Sequence, residues 1–116
     1  MKLQKIIDTL EAVTLDSTTN TGLEVGWACA TDLMSEVLYY AHENSLLLTG
    51  LVKPQVIRTA EIADIRVVVF TRGKEPDTET ISLAKRKGIT LLVTPLSLFT
   101  ASGRLFSAGL QCCPYT

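Results

Sequence analysis

Two glycine-containing loops carry the polar residues best suited to binding an anion. The first, residues 71–77, follows an apolar run and holds a glycine, Gly73, between Arg72 and Lys74. Positive side chains close to the backbone N–H groups of a helix N-terminus favour a phosphate or carboxylate. An arginine can clasp such a group through two hydrogen bonds. The alternative is an exposed βα connection in which Gly73 relieves backbone strain and Asp77 caps the next helix.

The second loop, residues 49–55, follows the preceding apolar run in the same way. Gly50 would let a ligand approach the backbone closely, and the Gln55 amide could pair with the polar edge of a base or an amide. The alternative here is a turn that simply starts a helix. Neither loop has the spacing of a P-loop or of the dinucleotide-binding glycine motif.

Both loops belong to a larger pattern of apolar runs that end at a threonine. Unalternating apolar runs are typical of strands buried on both faces, as in parallel sheets. The carboxyl ends of parallel strands meet at one edge, where open α/β sheets usually bind their ligands. We therefore predict a non-catalytic ligand site along this edge. Its candidate residues are Thr49, Gly50, Gln55, Thr71, Arg72, Gly73, Lys74 and Thr94.

No catalytic, metal or cofactor site is predicted beside these loops. The only histidine, His42, ends a predicted helix without an evident nucleophile or acid partner. The three cysteines lack the paired spacing of zinc ligands. Cys29 lies in an apolar run and is expected in the core, whereas Cys112 and Cys113 are expected as exposed thiols in a polar tail.

Alternating helical and strand patterns must position these loops. Apolar spacing predicts helices over residues 2–11, 31–42, 54–63, 77–87 and 97–109. Strands are predicted at residues 13–15, 23–30, 45–49, 66–71 and 90–94. This order predicts an α/β fold, a three-layer α/β/α sandwich with a mainly parallel sheet of about five strands. We expect one domain over residues 1–110 and a loose C-terminal tail over residues 111–116.

Composition excludes several classes of function. The chain has 116 residues and a formal net charge of −1. No basic stripe with interleaved aromatic residues is present, so no nucleic-acid partner is expected. The apolar stretches are far shorter than the roughly 20 residues of a membrane helix, so no membrane partner is expected. The amphipathic N-terminus does not resemble a signal peptide, and we expect a cytoplasmic protein.

The chain resembles the DRTGG domain family, small modules similar to the N-terminal domain of HPr kinase/phosphorylase. The resemblance extends from Lys2 to about Leu110, and it looks strongest towards stand-alone members encoded near iron-only hydrogenases. Its most specific segments are residues 48–51, 54–61, 72–77 and 94–97.

The resemblance implies a regulatory or ligand-sensing module that is not an enzyme, because the kinase active site of the family lies in another domain. It also implies a homodimer, a partner enzyme, and an anionic small molecule such as a nucleotide as ligand. A ligand-free assembly protein of an iron-only hydrogenase system is the alternative. A small phosphotransferase is a third hypothesis, but it lacks a general base and metal carboxylates, since Asp32 and Asp77 are interpreted as helix caps.

Overall fold

Helices and strands alternate along nearly the whole chain. The computed structural model describes residues 1–16 and 19–114. In chain order the elements are α1 (Leu3–Leu10), β1 (Val13–Thr14), β2 (Trp27–Ala30), α2 (Met34–Tyr40), β3 (Ser45–Thr49), α3 (Pro54–Ile62), β4 (Val67–Phe70), α4 (Thr78–Lys87), β5 (Thr90–Val93), α5 (Leu98–Ser107) and β6 (Gln111–Cys112). The predicted α/β fold class is confirmed.

The sheet has six strands in the order β1-β5-β4-β3-β2-β6, one more than the approximate number expected. All neighbouring pairs are parallel except β1 with β5, where Val13 lies opposite Val93. In this order β1 lies at one edge of the sheet and β2 lies next to the opposite edge, although they are consecutive strands in the chain. The mainly parallel arrangement aligns the carboxyl ends of β2 to β5 along one edge.

Two helical layers cover this sheet, and each has its own apolar core. One core packs α2, α3 and α4 against one face, with Val37, Ile57 and Leu83 among its members. The other packs α1 and α5 against the opposite face, with Ile6 and Leu105 among its members. Every residue of β3 and β4 is buried. This explains why these strands are continuous apolar runs in the sequence.

The sixth strand comes from the region expected to be a loose tail. Gln111 and Cys112 pair with β2, with Cys112 opposite Ala28, and the backbone N–H of Cys113 donates to the Ala28 carbonyl at 3.0 Å. Cys113 is buried, so its expected exposure is wrong, whereas Cys112 is exposed. A two-residue strand is too short to show a periodic pattern, which is why the sequence did not reveal it. The last two residues of the predicted tail lie outside the described residues.

The second predicted strand is shorter than expected. Residues 23–25 precede β2 and hydrogen-bond to the N-terminal segment instead. The Val25 N–H donates to the Met1 carbonyl and the Leu3 N–H donates to the Leu23 carbonyl. The N-terminal ammonium group donates to the Val25 carbonyl at 2.7 Å. This segment is therefore extended, but its partner is the N-terminus of the chain, and the sheet begins at Trp27.

Helix capping was predicted correctly at some helices and wrongly at one. The Asp77 carboxylate accepts the Thr80 N–H at 2.9 Å at the start of α4, and Gly88 ends that helix at φ 70°. The helix α2, in contrast, begins at Met34 and has no side-chain cap. Asp32, predicted there as a cap, uses its carboxylate elsewhere. No helix in the described part of the chain has the length and apolar composition of a membrane span.

Candidate functional site

The topology of the sheet marks one crevice at the carboxyl edge. The connections after β2, β3 and β4 lead to helices on one face, whereas the connection after β5 leads to α5 on the other face. Ligands of open α/β sheets usually bind where neighbouring connections diverge in this way. The crevice between β4 and β5 is bordered by residues 71–77 and 94–97, which include several of the predicted site residues.

Backbone hydrogen bonds close this crevice. The Arg72 N–H donates to the Leu96 carbonyl and the Gly73 N–H donates to the Thr94 carbonyl, both at 2.8 Å. The Lys74 N–H completes a turn to the Thr71 carbonyl at 3.2 Å. Arg72 and Gly73 have φ angles of 58° and 67°, which are typical of a type I′ turn. These backbone N–H groups are occupied, so they cannot receive an anion as the sequence suggested.

Thr94 supports the closed crevice from below. Its hydroxyl donates to the Leu10 carbonyl and accepts the Leu96 N–H at 3.2 Å. The Thr94 side chain is fully buried. The side chain of this predicted site residue therefore links α1 to the loop after β5, and it is not presented to solvent.

A different arrangement lies one strand further, at the end of β3. The Asp32 carboxylate reaches across from the end of β2, and its Oδ1 accepts the Gly50 N–H at 2.7 Å and the Thr49 hydroxyl at 2.8 Å. The Lys74 ammonium group donates to the Gly50 carbonyl at 3.3 Å. The two bonds that Asp32 accepts have the short lengths of charge-assisted hydrogen bonds, whereas the Lys74 contact is longer. The backbone of Gly50 is thus bonded on one side to a carboxylate, Asp32, and on the other to an ammonium group, Lys74, from the two neighbouring loops.

Asp32 is the residue of this candidate site that sequence reasoning missed. Its position just after an apolar run, with Thr31 and Leu33 beside it, was interpreted as a helix start. The Thr31 hydroxyl instead accepts the Leu33 N–H at 3.0 Å and donates to Glu36, which leaves the Asp32 side chain free to cross to β3. The parallel pairing of β2 with β3 was the missing information, because it places Asp32 beside Gly50.

A small polar niche opens above Gly50. A Cβ atom built on Gly50 would lie 3.5 Å from the Thr71 Oγ1 and 3.6 Å from the Asp32 Oδ2. Thr71 is 2% exposed, and among the described residues the buried side-chain atom without a hydrogen-bond partner is the Thr80 hydroxyl, not that of Thr71. We name this space, bounded by Gly50, Thr71 and Asp32, the Gly50 niche. It is bordered by a carboxylate and a hydroxyl group.

The structure therefore brings some of the predicted residues together and separates others. Thr49, Gly50, Thr71 and Lys74 meet at the Gly50 niche through the contacts above. Arg72 and Gly73 form the adjoining turn, where the Arg72 side chain is exposed. Thr94 lies beneath the closed crevice, and Gln55 is exposed on the first turn of α3.

The charges at this edge have mixed sign. Asp32 contributes a carboxylate, and Lys74 and Arg72 contribute the positive charges. Further along the loop, hydrogen bonding from Thr80 lowers the pKa of Asp77, with a smaller contribution from the charge of Lys53. Carboxylates accept hydrogen bonds from hydroxyl groups, whereas lysine and arginine bind phosphate. In the described part of the chain, no group of three acidic, cysteine or histidine side chains is arranged to hold a metal ion.

The cysteines converge at the β2–β6 end of the sheet, which the sequence did not indicate. Cys29, Cys112 and Cys113 line a cavity of about 80 Å³ together with Glu36 and Tyr40. Burial raises the pKa of Cys29 to about 11, with a further contribution from the neighbouring Cys113. A thiol with such a pKa is a poor nucleophile near neutral pH, so Cys29 behaves as the core residue that was predicted.

The comparisons with known proteins concern the fold. No protein-family model matches this chain, and no curated protein matches it either. Its structure is similar to a crystal structure of the CBS and DRTGG domains of the regulatory region of Clostridium perfringens pyrophosphatase, complexed with the activator diadenosine tetraphosphate. The TM-score is 0.74 and the sequence identity is 24%.

The matched region covers 90% of this chain and 45% of the pyrophosphatase chain. This chain therefore spans less than half the length of the protein it is similar to. The likeness supports a DRTGG-like fold, in agreement with the resemblance found in the sequence.

Proposed function

We propose that this chain is a non-catalytic regulatory module that senses a nucleotide or a related anionic metabolite at the carboxyl edge of its sheet. The observation that carries this proposal is the convergence of Asp32, Thr71 and Lys74 around Gly50, at the edge where open α/β sheets bind ligands. The fold it shares with a regulatory region complexed with a nucleotide activator supports the same function.

A regulatory role also agrees with the chemistry of the edge. The polar groups there are suited to binding. The Thr49 hydroxyl donates to the Asp32 carboxylate at 2.8 Å, but Thr49 is fully buried and its hydroxyl is not presented to a substrate. We propose DRTGG membership, a cytoplasmic location, and a partner enzyme whose activity the module reports to. The whole activity of the pyrophosphatase is not carried over, because the matched region is only part of that protein.

A thermal-shift screen of the purified protein tests the proposal. The probes are diadenosine tetraphosphate, ATP, AMP, acetyl phosphate and small carboxylates. A ligand present at about 100 times its dissociation constant stabilises the folded state by roughly 2.7 kcal/mol, which raises the melting temperature of a domain of this size by several degrees. We expect a nucleotide to give this shift, and a silent panel would contradict the proposal.

Charge-removal variants connect a positive result to the edge. Lys74→Ala and Arg72→Ala should each weaken nucleotide binding, because each removes a cation suited to the phosphate. Lys5→Ala is the matched control, since Lys5 is exposed on α1 in the opposite layer. Equal loss of affinity in the control and in the Lys74 variant would place the nucleotide elsewhere.

A ligand-free assembly protein, associated with an iron-only hydrogenase system or another partner, is the second candidate. The observation that favours it is an exposed aromatic surface on α5, where Phe99 and Phe106 are 88% and 66% exposed. Exposed apolar patches often mark protein interaction sites. Sedimentation showing a stable homodimer, together with a silent ligand panel, would favour this candidate over the sensor.

A further inference from the structure

We propose that the exposed face of α5 is a dimer interface, in which α5 pairs antiparallel with α5 of a second copy of this chain. Four residues define this face, which we name the α5 face: Phe99, Ser102, Gly103 and Phe106. The inference goes beyond the proposed sensing function and does not depend on it, because α5 contributes no residue to the Gly50 niche.

Two of the three phenylalanines of the chain lie on the α5 face. Phe70 is fully buried in the core, whereas Phe99 is 88% exposed and Phe106 is 66% exposed. Phe106 comes seven positions after Phe99, which places the two rings two helical turns apart on the same side of α5. The buried residues of α5, Ala101 and Leu105, pack into the core from the opposite side. Packing within one copy therefore leaves both rings largely in water.

The spacing of the two rings is self-complementary. A two-fold axis that crosses α5 between Ser102 and Gly103 lies midway between the two rings along the sequence. In an antiparallel pair of helices about this axis, each Phe99 lies opposite the partner's Phe106, so that one copy supplies both halves of the contact. Aromatic pairs stabilise an interface beyond the area that they bury. The α5 face therefore fits a second copy of the same chain.

The residues at the crossing point are small enough for a close approach of the two helices. Gly103 has no side chain, and a Cβ built there would meet no atom of its own chain within 4 Å. The Ser102 hydroxyl donates to the Leu98 carbonyl at 2.7 Å within the helix, so it needs no partner from outside. The distance between packed helices depends on the side chains at their contact. Small residues between two large rings therefore allow the rings of two copies to interdigitate.

An apolar cavity beside Phe106 provides room for a ring of the second copy. It has a volume of about 210 Å³, and Leu48, Leu105, Phe106 and Leu110 are among the residues that line it. Apolar cavities of about 150 Å³ are large enough to hold benzene. In the antiparallel pair, the partner's Phe99 lies next to the cavity that Phe106 borders. Its ring can therefore leave water without displacing a side chain of the fold.

The area and the charge of the α5 face also favour a second copy. At roughly 200 Å² for a phenylalanine side chain, the two rings expose about 300 Å² per copy. This is more than a third of the roughly 800 Å² per partner that a stable dimer buries. The only charged residue of α5, Arg104, is bonded to Glu11 at 2.7 Å. Two such faces meet without like-charge repulsion, and homodimer interfaces are typically apolar, aromatic and poor in charge.

Sedimentation velocity of the purified protein over a range of concentrations tests this interface. We expect a reversible equilibrium between monomer and dimer. Gly103→Leu places a large side chain at the crossing point, where a single copy has open space, and leucine favours a helix more than glycine does. This variant should stay folded by circular dichroism, and its dimer dissociation constant should rise at least about tenfold. Ile62→Ala is the matched control, because Ile62 is 74% exposed on α3 in the other helical layer.

A pair of charged variants tests the antiparallel arrangement itself. Phe99→Glu and Phe106→Lys should each weaken dimerisation when alone, because each places a charge against an apolar surface at two points of the dimer. An equimolar mixture should dimerise more strongly than either variant. Its mixed dimer keeps one contact between Phe99 and Phe106 and brings the two introduced charges together at the other. This gain should diminish as the salt concentration rises. In a parallel pair of helices the introduced charges would not meet.

Each outcome decides for or against the α5 interface. Wild-type protein that stays monomeric at millimolar concentration overturns the proposal. A dimer that persists in folded Gly103→Leu protein also overturns it, because the copies then meet elsewhere. A mixture that dimerises no better than its components overturns the antiparallel pairing. Dissociation of the Gly103 variant and recovery in the mixture, with Ile62→Ala unchanged, support the proposal. Failure here leaves the sensing function in place, since nucleotide binding is measured separately.

Discussion

Two neighbouring regions along the carboxyl edge of the sheet differ in how their polar groups are used. Between β4 and β5, the loops bond to each other through Arg72 and Gly73, and the Thr94 hydroxyl bonds to the backbone of α1. Between β2, β3 and β4, side-chain oxygens of Asp32 and Thr71 lie beside Gly50, within 3.7 Å of where its Cβ would be. The first region has the topology of a ligand crevice but is closed by backbone hydrogen bonds, whereas the second is the site that we propose for a ligand.

The difference shows that sheet topology and loop composition do not suffice to place a binding site. A backbone N–H that already donates to a carbonyl is not available to a ligand, however favourable its neighbours are. The decisive quantity is the number of hydrogen-bond donors and acceptors that are not already paired within the folded protein. By this criterion the Gly50 niche, and not the Arg72–Gly73 turn, is the candidate centre of the site.

Thr94→Val gives the largest expected effect and tests whether the closed crevice is structural. The substitution leaves the Leu10 carbonyl and the Leu96 N–H without their hydroxyl partner in a buried position. An unsatisfied buried group costs about 1–3 kcal/mol, so chemical denaturation should show a loss of at least about 2 kcal/mol. Nucleotide affinity of the folded fraction should not change. A stable variant with lost affinity would reverse the roles assigned to the two regions.

Asp32→Ala should reduce both binding and stability. The variant loses the carboxylate that accepts from Thr49 and Gly50, and we expect a loss of about 1–2 kcal/mol in unfolding free energy. Titration should show weaker nucleotide binding. Asp8→Ala is the control, since Asp8 is exposed and its carboxylate accepts from Gln4 on its own helix. Unchanged nucleotide affinity in the Asp32 variant would remove the carboxylate from the site.

The two glycines of these regions should respond to alanine in opposite ways. Gly73→Ala forces a side chain into a left-handed conformation at φ 67° and should cost about 1 kcal/mol in stability, with nucleotide affinity retained. Gly50→Ala should leave stability nearly unchanged and reduce affinity. Melting curves and titrations of the two variants measure both quantities. The same response from both glycines would show that the two regions do not differ as described.

The smallest expected effect concerns how the melting temperature depends on pH in the acid range. Hydrogen bonds from Thr80 lower the pKa of Asp77 in the folded state below its usual range. The ionised carboxylate therefore stabilises the folded protein at higher pH, and this contribution is lost as the pH falls through the folded-state pKa. Asp77→Ala should lower the melting temperature at pH 7 and flatten its dependence on pH below about 4. An unchanged profile would contradict the assigned cap.

Much of the fold followed from local pattern in the sequence. Continuous apolar runs identified β3 and β4, and the Asp77 and Gly88 signals fixed both ends of α4. The short β6 was missed because two residues carry no periodicity. Its existence depends on pairing with β2, which is a contact between distant parts of the chain.

The site was predicted less completely, for a related reason. Thr49, Gly50, Thr71 and Lys74 were predicted because each lies at or shortly after the end of a buried strand, and the structure brings them close together. Asp32 was missed because its role requires the order of the strands, which brings β2 beside β3. The occupation of the Gly73 N–H could not be predicted either, since its partner, the Thr94 carbonyl, is distant in sequence.

The most direct test is a two-dimensional ¹H–¹⁵N NMR titration of the protein with diadenosine tetraphosphate. The account predicts saturable shifts at the amides of Gly50, Leu51 and Asp32, and little change at Leu96 or at Cys113 beside the cysteine cavity. Shifts centred on the cysteine cavity, or no shifts at all, would contradict a ligand-sensing edge at Gly50.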